Sequence, residues 1–235
     1  MKNINKKENI VSGTGELDRN IEKKRYTVGE EIFNSVSHGV GALLSIAALV
    51  LAIIAAVLWQ GTSIAVISAI IYGMALIVLY MSSTLYHALT NVTAKKVFRI
   101  FDHSSIFILI AGTYTPIMLV SLADINWGVI MCLVLWGLTA LGVVLNSLSI
   151  ERFKVVSMIL YVGMGWAAVF AGKFLLDRIA LPGLVMILIG GLAYTGGLFF
   201  YGMKKFKYMH SVWHLFVLAG SVVHFIAILL FIYRK

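Results

Sequence analysis

Long apolar runs without a single charged residue make up most of this chain. No Asp, Glu, Lys or Arg occurs between Ile32 and Ala94, and five shorter charge-free runs follow. The later runs are 103–123, 125–150, 155–172, 179–203 and 208–233. A membrane-spanning helix needs about 20 apolar residues, so each later run accommodates one helix and the first accommodates two. Apolar residues are continuous within the runs and do not alternate with polar ones, which argues against β-strands.

The pattern therefore predicts an all-α integral membrane protein with seven transmembrane helices. The predicted helices are 35–58, 64–88, 100–122, 127–147, 153–174, 181–202 and 210–233. We expect them to form one transmembrane domain over residues 31–235. Residues 1–30 are polar and lack the apolar core of a signal peptide, so we expect a flexible cytoplasmic tail there.

Composition narrows the possible functions. Hydrophobic residues make up 60% of the 235 positions and charged residues 12%, whereas a soluble domain is about a quarter charged. These values exclude a soluble globular enzyme. Cys132 is the only cysteine, which excludes a disulfide framework and a Cys-rich metal site.

The distribution of basic residues predicts the orientation in the membrane. The formal net charge is +9, and 15 of the 19 Lys and Arg residues lie in the N-terminal tail and in the loops after predicted helices two, four and six. The positive-inside rule then places the N-terminus in the cytoplasm and the C-terminus outside. We interpret the positive charge as facing the cytoplasm and anionic lipid, and we expect no nucleic-acid partner.

All six histidines and one aspartate lie within the predicted helices, where such ionisable groups are costly and usually functional. They are His38, His87, Asp102, His103, His210, His214 and His224. Among them, His87 lies at the end of helix two, Asp102 at the start of helix three, and His210 and His214 at the start of helix seven. Each lies within about 12 Å of a predicted cytoplasmic loop, so three histidines and one carboxylate share one depth.

This group of residues is typical of a metal site. His210 and His214 are four residues apart and project from one helix face, a spacing that suits two ligands of one ion. With His87 they form a set of three imidazoles with an open fourth position, as in catalytic zinc sites. Asp102 is suited to orient a water molecule and take its proton, and Ser83 to orient His87 or to donate a hydrogen bond to an oxyanion.

Simpler interpretations of the same residues stay open. In these alternatives the histidine pair serves only contacts between helices, Asp102 is a counter-ion for Arg99, and Ser83 only packs. His224 lies about 15 Å deeper than His214, which favours a structural hydrogen bond over metal binding. His38 can reach the site as a supporting residue, although a helix cap or interface role is the simpler interpretation.

Several motifs resemble those of the haemolysin III family, the bacterial branch of the progestin and adipoQ receptor superfamily. They are EIFNSVSHG (31–39), STLYH (83–87), FDHS (101–104), GTYTP (112–116), HSVWHLF (210–216) and VH (223–224). The resemblance covers essentially all of residues 30–233, and the tail lies outside it.

The resemblance implies seven helices with the N-terminus inside and a zinc ion near the cytoplasmic leaflet. By motif matching, His87, His210 and His214 would be its ligands, with Asp102 in contact through water and Ser83 nearby. The superfamily is grouped with alkaline ceramidases, which suggests a zinc-dependent hydrolase of lipid amides in the bacterial plasma membrane.

The implied partners are membrane lipids, including a lipid or fatty acid inside the helix bundle. Two other functions stay open. The first is a receptor or regulator of lipid state with structural zinc. The second is a cytolysin acting on host cell membranes, as the family name suggests.

Overall fold

The computed structural model describes residues 26–203 and 205–234, and its regular structure in these ranges is entirely helical. Seven α-helices are α1 Val28–Ala55, α2 Ser63–Ala88, α3 Val92–Ser121, α4 Asn126–Gly165, α5 Gly172–Leu176, α6 Leu181–Gly202 and α7 Met209–Ile228. The π-helical turns Ala56–Gln60 and Leu229–Tyr233 extend α1 and α7, and a 3₁₀ turn, Ala167–Val169, follows α4. The predicted all-α membrane architecture is confirmed, whereas its orientation stays a prediction.

Six helical segments among the described residues are long and apolar enough to cross a membrane. The predicted number was seven, and the difference lies in the segment Asn126–Val169, which has 44 residues. At 1.5 Å per residue it is about 66 Å long, roughly twice the thickness of a bilayer core. Its helix is interrupted at Ser149, whose extended backbone (φ −170°, ψ 112°) divides it into two parts. These parts occupy the positions of predicted helices four and five.

The predicted helix 153–174 is not continuous, because α4 ends at Gly165. The Tyr114 hydroxyl compensates for the break: it donates to the Gly165 carbonyl at 2.7 Å and accepts from the Ala168 backbone N–H at 2.9 Å. The backbone groups freed at the interruption therefore find a partner on α3, as a helix within lipid requires.

Two helices begin earlier than predicted. The prediction began each helix after the last charged residue, whereas these charged residues lie in the first turns of the helix. Helix α1 starts at Val28, where Thr27 and Glu30 form a capping box, and not at residue 35. Helix α3 starts at Val92, capped by Asn91, and not at residue 100. The expected flexible tail falls largely on residues 1–25, which lie outside the described residues.

The helices pack in chain order from α1 to α4, and α6 packs against α7, which also contacts α1. Large apolar side chains on the outer faces are exposed, for example Leu43 (70%), Leu133 (68%) and Phe199 (68%). Such a surface suits lipid, which solvates apolar side chains. Inside the bundle, a cavity of about 420 Å³ is lined by residues of α1 to α7.

Candidate metal centre

Three histidines predicted to act together meet at one end of the bundle. His87 lies in the last turn of α2, and His210 and His214 lie in the first two turns of α7. One ring nitrogen from each lies within 4.8 Å of the others, close enough to hold one metal ion. The sequence-based expectation that these three imidazoles converge is therefore confirmed.

The ring nitrogens of His210 and His214 have the spacing of two ligands of a tetrahedral ion. Zinc–imidazole bonds of about 2.0–2.1 Å in tetrahedral geometry separate two ligand nitrogens by about 3.3 Å. The Nε2 atoms of His210 and His214 lie 3.1 Å apart. The Nε2 atom of His87 is buried and has no hydrogen-bond partner, which leaves its lone pair available. The donor set therefore suits a borderline first-row cation such as zinc.

The other nitrogen of His87 contacts a carboxylate that the sequence analysis did not select. Its Nδ1 lies 2.5 Å from Oε2 of Glu31, in the first turn of α1. The second oxygen of Glu31 accepts a hydrogen bond from Lys95 Nζ at 2.8 Å. The available signal was the position of Glu31, since it is the last charged residue before the longest charge-free run.

Aromatic rings cover the two histidines of α7. The Tyr26 ring stacks on His210 with 4.7 Å between centroids, and the His38 ring stacks on His214 at 3.7 Å. His38 is buried, and its ring also meets Tyr80 edge-on at 5.0 Å. Of the two interpretations of His38, the supporting one fits this contact with a candidate ligand.

Asp102 and Ser83 line the same cavity as His210 and His214. The Asp102 side chain is 16% exposed and lies 3.6 Å from His103 Nδ1. The Ser83 hydroxyl is buried without a hydrogen-bond partner. Arg99, the alternative partner of Asp102, forms an ion pair with Glu151 at 2.6 Å. The placement in the cavity agrees with a functional role for Asp102 and Ser83, and that role stays a prediction.

The two remaining histidines are held by backbone carbonyls. The Nε2 atom of His224 lies 2.9 Å from the Ile187 carbonyl oxygen on α6, which is the structural hydrogen bond expected for it. The His103 Nδ1 atom lies 3.0 Å from the carbonyl oxygen of Arg99. Neither belongs to the metal-competent group found among the described residues.

The cavity joins this polar end to an apolar interior. Its lining includes Ser83, Asp102 and His214 at the polar end. Farther along the bundle it includes Leu175 and Leu184. Its volume of about 420 Å³ lies within the usual range for small-molecule sites. The lining suits a ligand with one polar end and an apolar chain.

Comparison with known proteins establishes the family. A sequence model described as Haemolysin-III related matches residues 26–225. The chain belongs to the Haemolysin-III related family. It is 39% identical over 206 residues to the Hemolysin-3 homolog of Bacillus subtilis, covering 88% of this chain and 96% of that protein. Hemolysin-3 of Bacillus cereus is 38% identical over 206 residues, covering 87% and 93%.

Similarity to this chain extends to animal proteins. The human Monocyte to macrophage differentiation factor is 31% identical over 180 residues, which is 72% of this chain and 72% of that protein. The matched range of the family includes all three clustered histidines, Glu31 and Asp102. The resemblance noted from the motifs is thus confirmed, and the chain is a multi-span membrane protein of this family.

Proposed function

We propose that this protein is a zinc-dependent hydrolase of lipid amides in the bacterial plasma membrane. The observation that carries the proposal is the convergence of His87, His210 and His214, of which His210 and His214 also line the apolar cavity. Three neutral imidazoles leave a tetrahedral ion with one open position, which is the arrangement of catalytic zinc sites. Zinc held in this way would supply a Lewis acid that polarises the lipid carbonyl.

The cavity residues supply the rest of the chemistry. Asp102 would orient a water molecule and take its proton as general base. Ser83, one helical turn before His87, would donate a hydrogen bond to the oxygen that becomes negative. The released proton would return to the amine leaving group through Asp102. The acyl chain would lie along the apolar part of the cavity, toward Leu175 and Leu184.

The membrane defines how the substrate arrives. The positive-inside rule supports an orientation in which the histidine cluster would lie at the depth of the cytoplasmic leaflet. An amphiphile of that leaflet would enter laterally, with its polar group at the depth of the cluster and its chains in the hydrocarbon core. This route would avoid transfer of the lipid chain through water, which the hydrophobic effect makes unfavourable.

The substitution Asp102→Asn tests this proposal. Asn has the size of Asp and leaves the three imidazoles in place, so the zinc content should stay near that of the wild type. Hydrolysis of amide lipids should fall by about 10² to 10⁴, the usual contribution of general acid–base catalysis. Zinc content, melting temperature and fatty-acid release are measured on one preparation of each protein. An Asp102→Asn protein that hydrolyses lipid at the wild-type rate would remove Asp102 from the mechanism.

A receptor or regulator with a structural zinc ion is the second candidate. The stacking of Tyr26 on His210 and of His38 on His214 favours it, because rings packed against two ligands hold them rigidly, as a structural clamp requires. A fourth protein ligand on the ion would be the mark of a closed structural site. In that case Asp102→Asn should lower zinc affinity and melting temperature together. The wild-type protein would then be loaded with zinc and inert on amide and ester lipids.

The names of the bacterial relatives make lysis of erythrocytes a third activity to measure. If lysis follows from lipid hydrolysis, Asp102→Asn should lose both activities in parallel. Lysis that persists at the wild-type level in Asp102→Asn would support a separate cytolytic action.

A further inference from the structure

We propose that Glu31 is a positioning residue, which orients the His87 ring and strengthens metal binding through it, while Lys95 holds the Glu31 carboxylate. The inference deepens the proposed function and rests on the metal that it assigns to the three histidines. It concerns a residue of the first turn of α1, more than fifty positions before His87 in the chain.

The first step is the contact between the carboxylate and the ring. Oε2 of Glu31 lies 2.5 Å from Nδ1 of His87. A carboxylate only accepts hydrogen bonds, so Nδ1 carries the proton and donates it. The proton is then absent from Nε2, which becomes the lone-pair donor required of a metal ligand. The buried Nε2 atom has no hydrogen-bond partner of its own.

The second step is the restraint on the carboxylate itself. Lys95 Nζ donates to Oε1 of Glu31 at 2.8 Å and to the Leu89 carbonyl at 3.4 Å. The side chains of Glu31 and Lys95 are 22% and 28% exposed, so both are partly buried. The ammonium offsets the negative charge and fixes the second oxygen, which keeps Oε2 directed at His87. The unit therefore joins α1, α2 and the start of α3.

The third step is the effect on the metal. A carboxylate that accepts from the second nitrogen of a ligating histidine fixes the tautomer, sets the ring orientation and raises the basicity of the ligand. Loss of such a partner typically lowers metal affinity by about 10- to 100-fold. A helix-capping or purely stabilising role for Glu31 would instead lower the melting temperature and leave metal affinity unchanged.

The experiment measures zinc affinity of the purified full-length protein by competition with a chelator of known affinity. Glu31→Ala removes the acceptor and should weaken binding by about 10- to 100-fold. Glu31→Gln keeps an acceptor oxygen without the charge and should fall between Glu31→Ala and the wild type. The matched control is Glu151→Gln, which removes a carboxylate paired with Arg99 at the same end of the bundle. It should bind zinc like the wild type.

The melting temperature of each metal-free protein separates positioning from folding. If Glu31→Ala does not fold, the nearly isosteric Glu31→Gln still tests the proposal. Wild-type affinity in a folded Glu31 variant, or an equal loss in Glu151→Gln, would overturn the positioning role. A wild-type protein that takes up no zinc would overturn the proposed function, and the two failures are therefore distinguishable.

Discussion

The two ends of the helix bundle differ in how their buried polar groups are hydrogen-bonded. We call the end with Gln60, Ser68 and Tyr233 the tyrosine end. There the Gln60 side-chain amide donates to the carbonyls of Ile232 and Tyr233 at 3.2 and 2.8 Å. The Tyr233 hydroxyl lies 3.1 Å from the Ser68 hydroxyl. The Gln60 side chain at the end of α1 thus satisfies carbonyls at the end of α7, and Ser68 of α2 pairs with the Tyr233 hydroxyl.

The opposite end, which carries His87, His210 and His214, is the histidine end. Here several buried polar atoms have no protein partner: Asn34 Nδ2, both ring nitrogens of His38, Ser83 Oγ, His87 Nε2 and His214 Nδ1. In lipid an unsatisfied polar group costs several kcal/mol, so its presence requires a compensating function or ligand. Toward the tyrosine end, Tyr72 Oη, Ser121 Oγ and His224 Nδ1 also lack a partner, but no cluster of ligand atoms accompanies them among the described residues.

The difference distinguishes polar residues that stabilise the helix bundle from polar residues that indicate a ligand site. Polar residues that satisfy each other, such as Gln60 and the end of α7, contribute to the packing of helices. Polar residues that converge and stay unsatisfied indicate the position of a ligand. Substitutions at the two ends, and reporters of topology, test this distinction.

An all-or-none result is expected from reporters of membrane topology. A reporter inserted at 203–208 should be cytoplasmic, and one fused after Lys235 should be extracytoplasmic, because 15 of the 19 basic residues lie on the predicted inner side. The histidine end would then face the cytoplasm and the tyrosine end the exterior. Reporters that score on the same side would contradict seven crossings.

The second largest effect is expected when the candidate metal ligands of the histidine end are substituted. The double substitution His210→Ala/His214→Ala removes two of three ligands and should abolish zinc binding, which is measured as zinc per chain by elemental analysis. His87→Ala should lose zinc as well, because a single His pair leaves the ion with too few protein ligands. The control is His224→Ala, whose ring bonds the Ile187 carbonyl and should not affect zinc content. Full zinc in the double variant would contradict the site.

Much of the histidine end was predictable from the sequence. Depth in the membrane is set by distance along a helix from its end, so His87, Asp102 and the His210–His214 pair could be assigned one level from their spacing to charged loops. The four-residue spacing also fixed a common face for the pair. The convergence follows once the three helices are neighbours.

The contact between Glu31 and His87 was not predictable in the same way. It depends on the lateral arrangement of α1 and α2, which hydrophobic runs do not encode. The charge of Glu31 also led to an incorrect helix start, because the prediction began α1 after the last acidic residue. The break after Gly165 was missed for a related reason, because its stabilisation comes from the hydroxyl of Tyr114 on another helix.

A change at the tyrosine end should affect stability and not metal. Gln60→Leu removes the donor to the Ile232 and Tyr233 carbonyls and should lower the free energy of unfolding by about 1 kcal/mol, as for other hydrogen bonds within membranes. The measurements are the melting temperature and the zinc content of the same sample. The adjacent Trp59→Phe, which retains an aromatic ring beside Arg234, is the control for disturbance of this turn. A fall in zinc content in Gln60→Leu would show that the two ends are coupled.

The smallest effect is expected at Lys95. Its ion pair with Glu31 is partly exposed, and such pairs contribute about 0 to 1 kcal/mol, so Lys95→Met should lower zinc affinity by at most about fivefold. The Glu31–His87 hydrogen bond persists in this variant, which is why the loss should be smaller than in Glu31→Ala. Lys205→Met, an exposed position in the loop before α7, corrects for the change in net charge. If Lys95→Met weakens zinc as much as Glu31→Ala does, the ammonium and not the carboxylate–imidazole bond controls the position of His87.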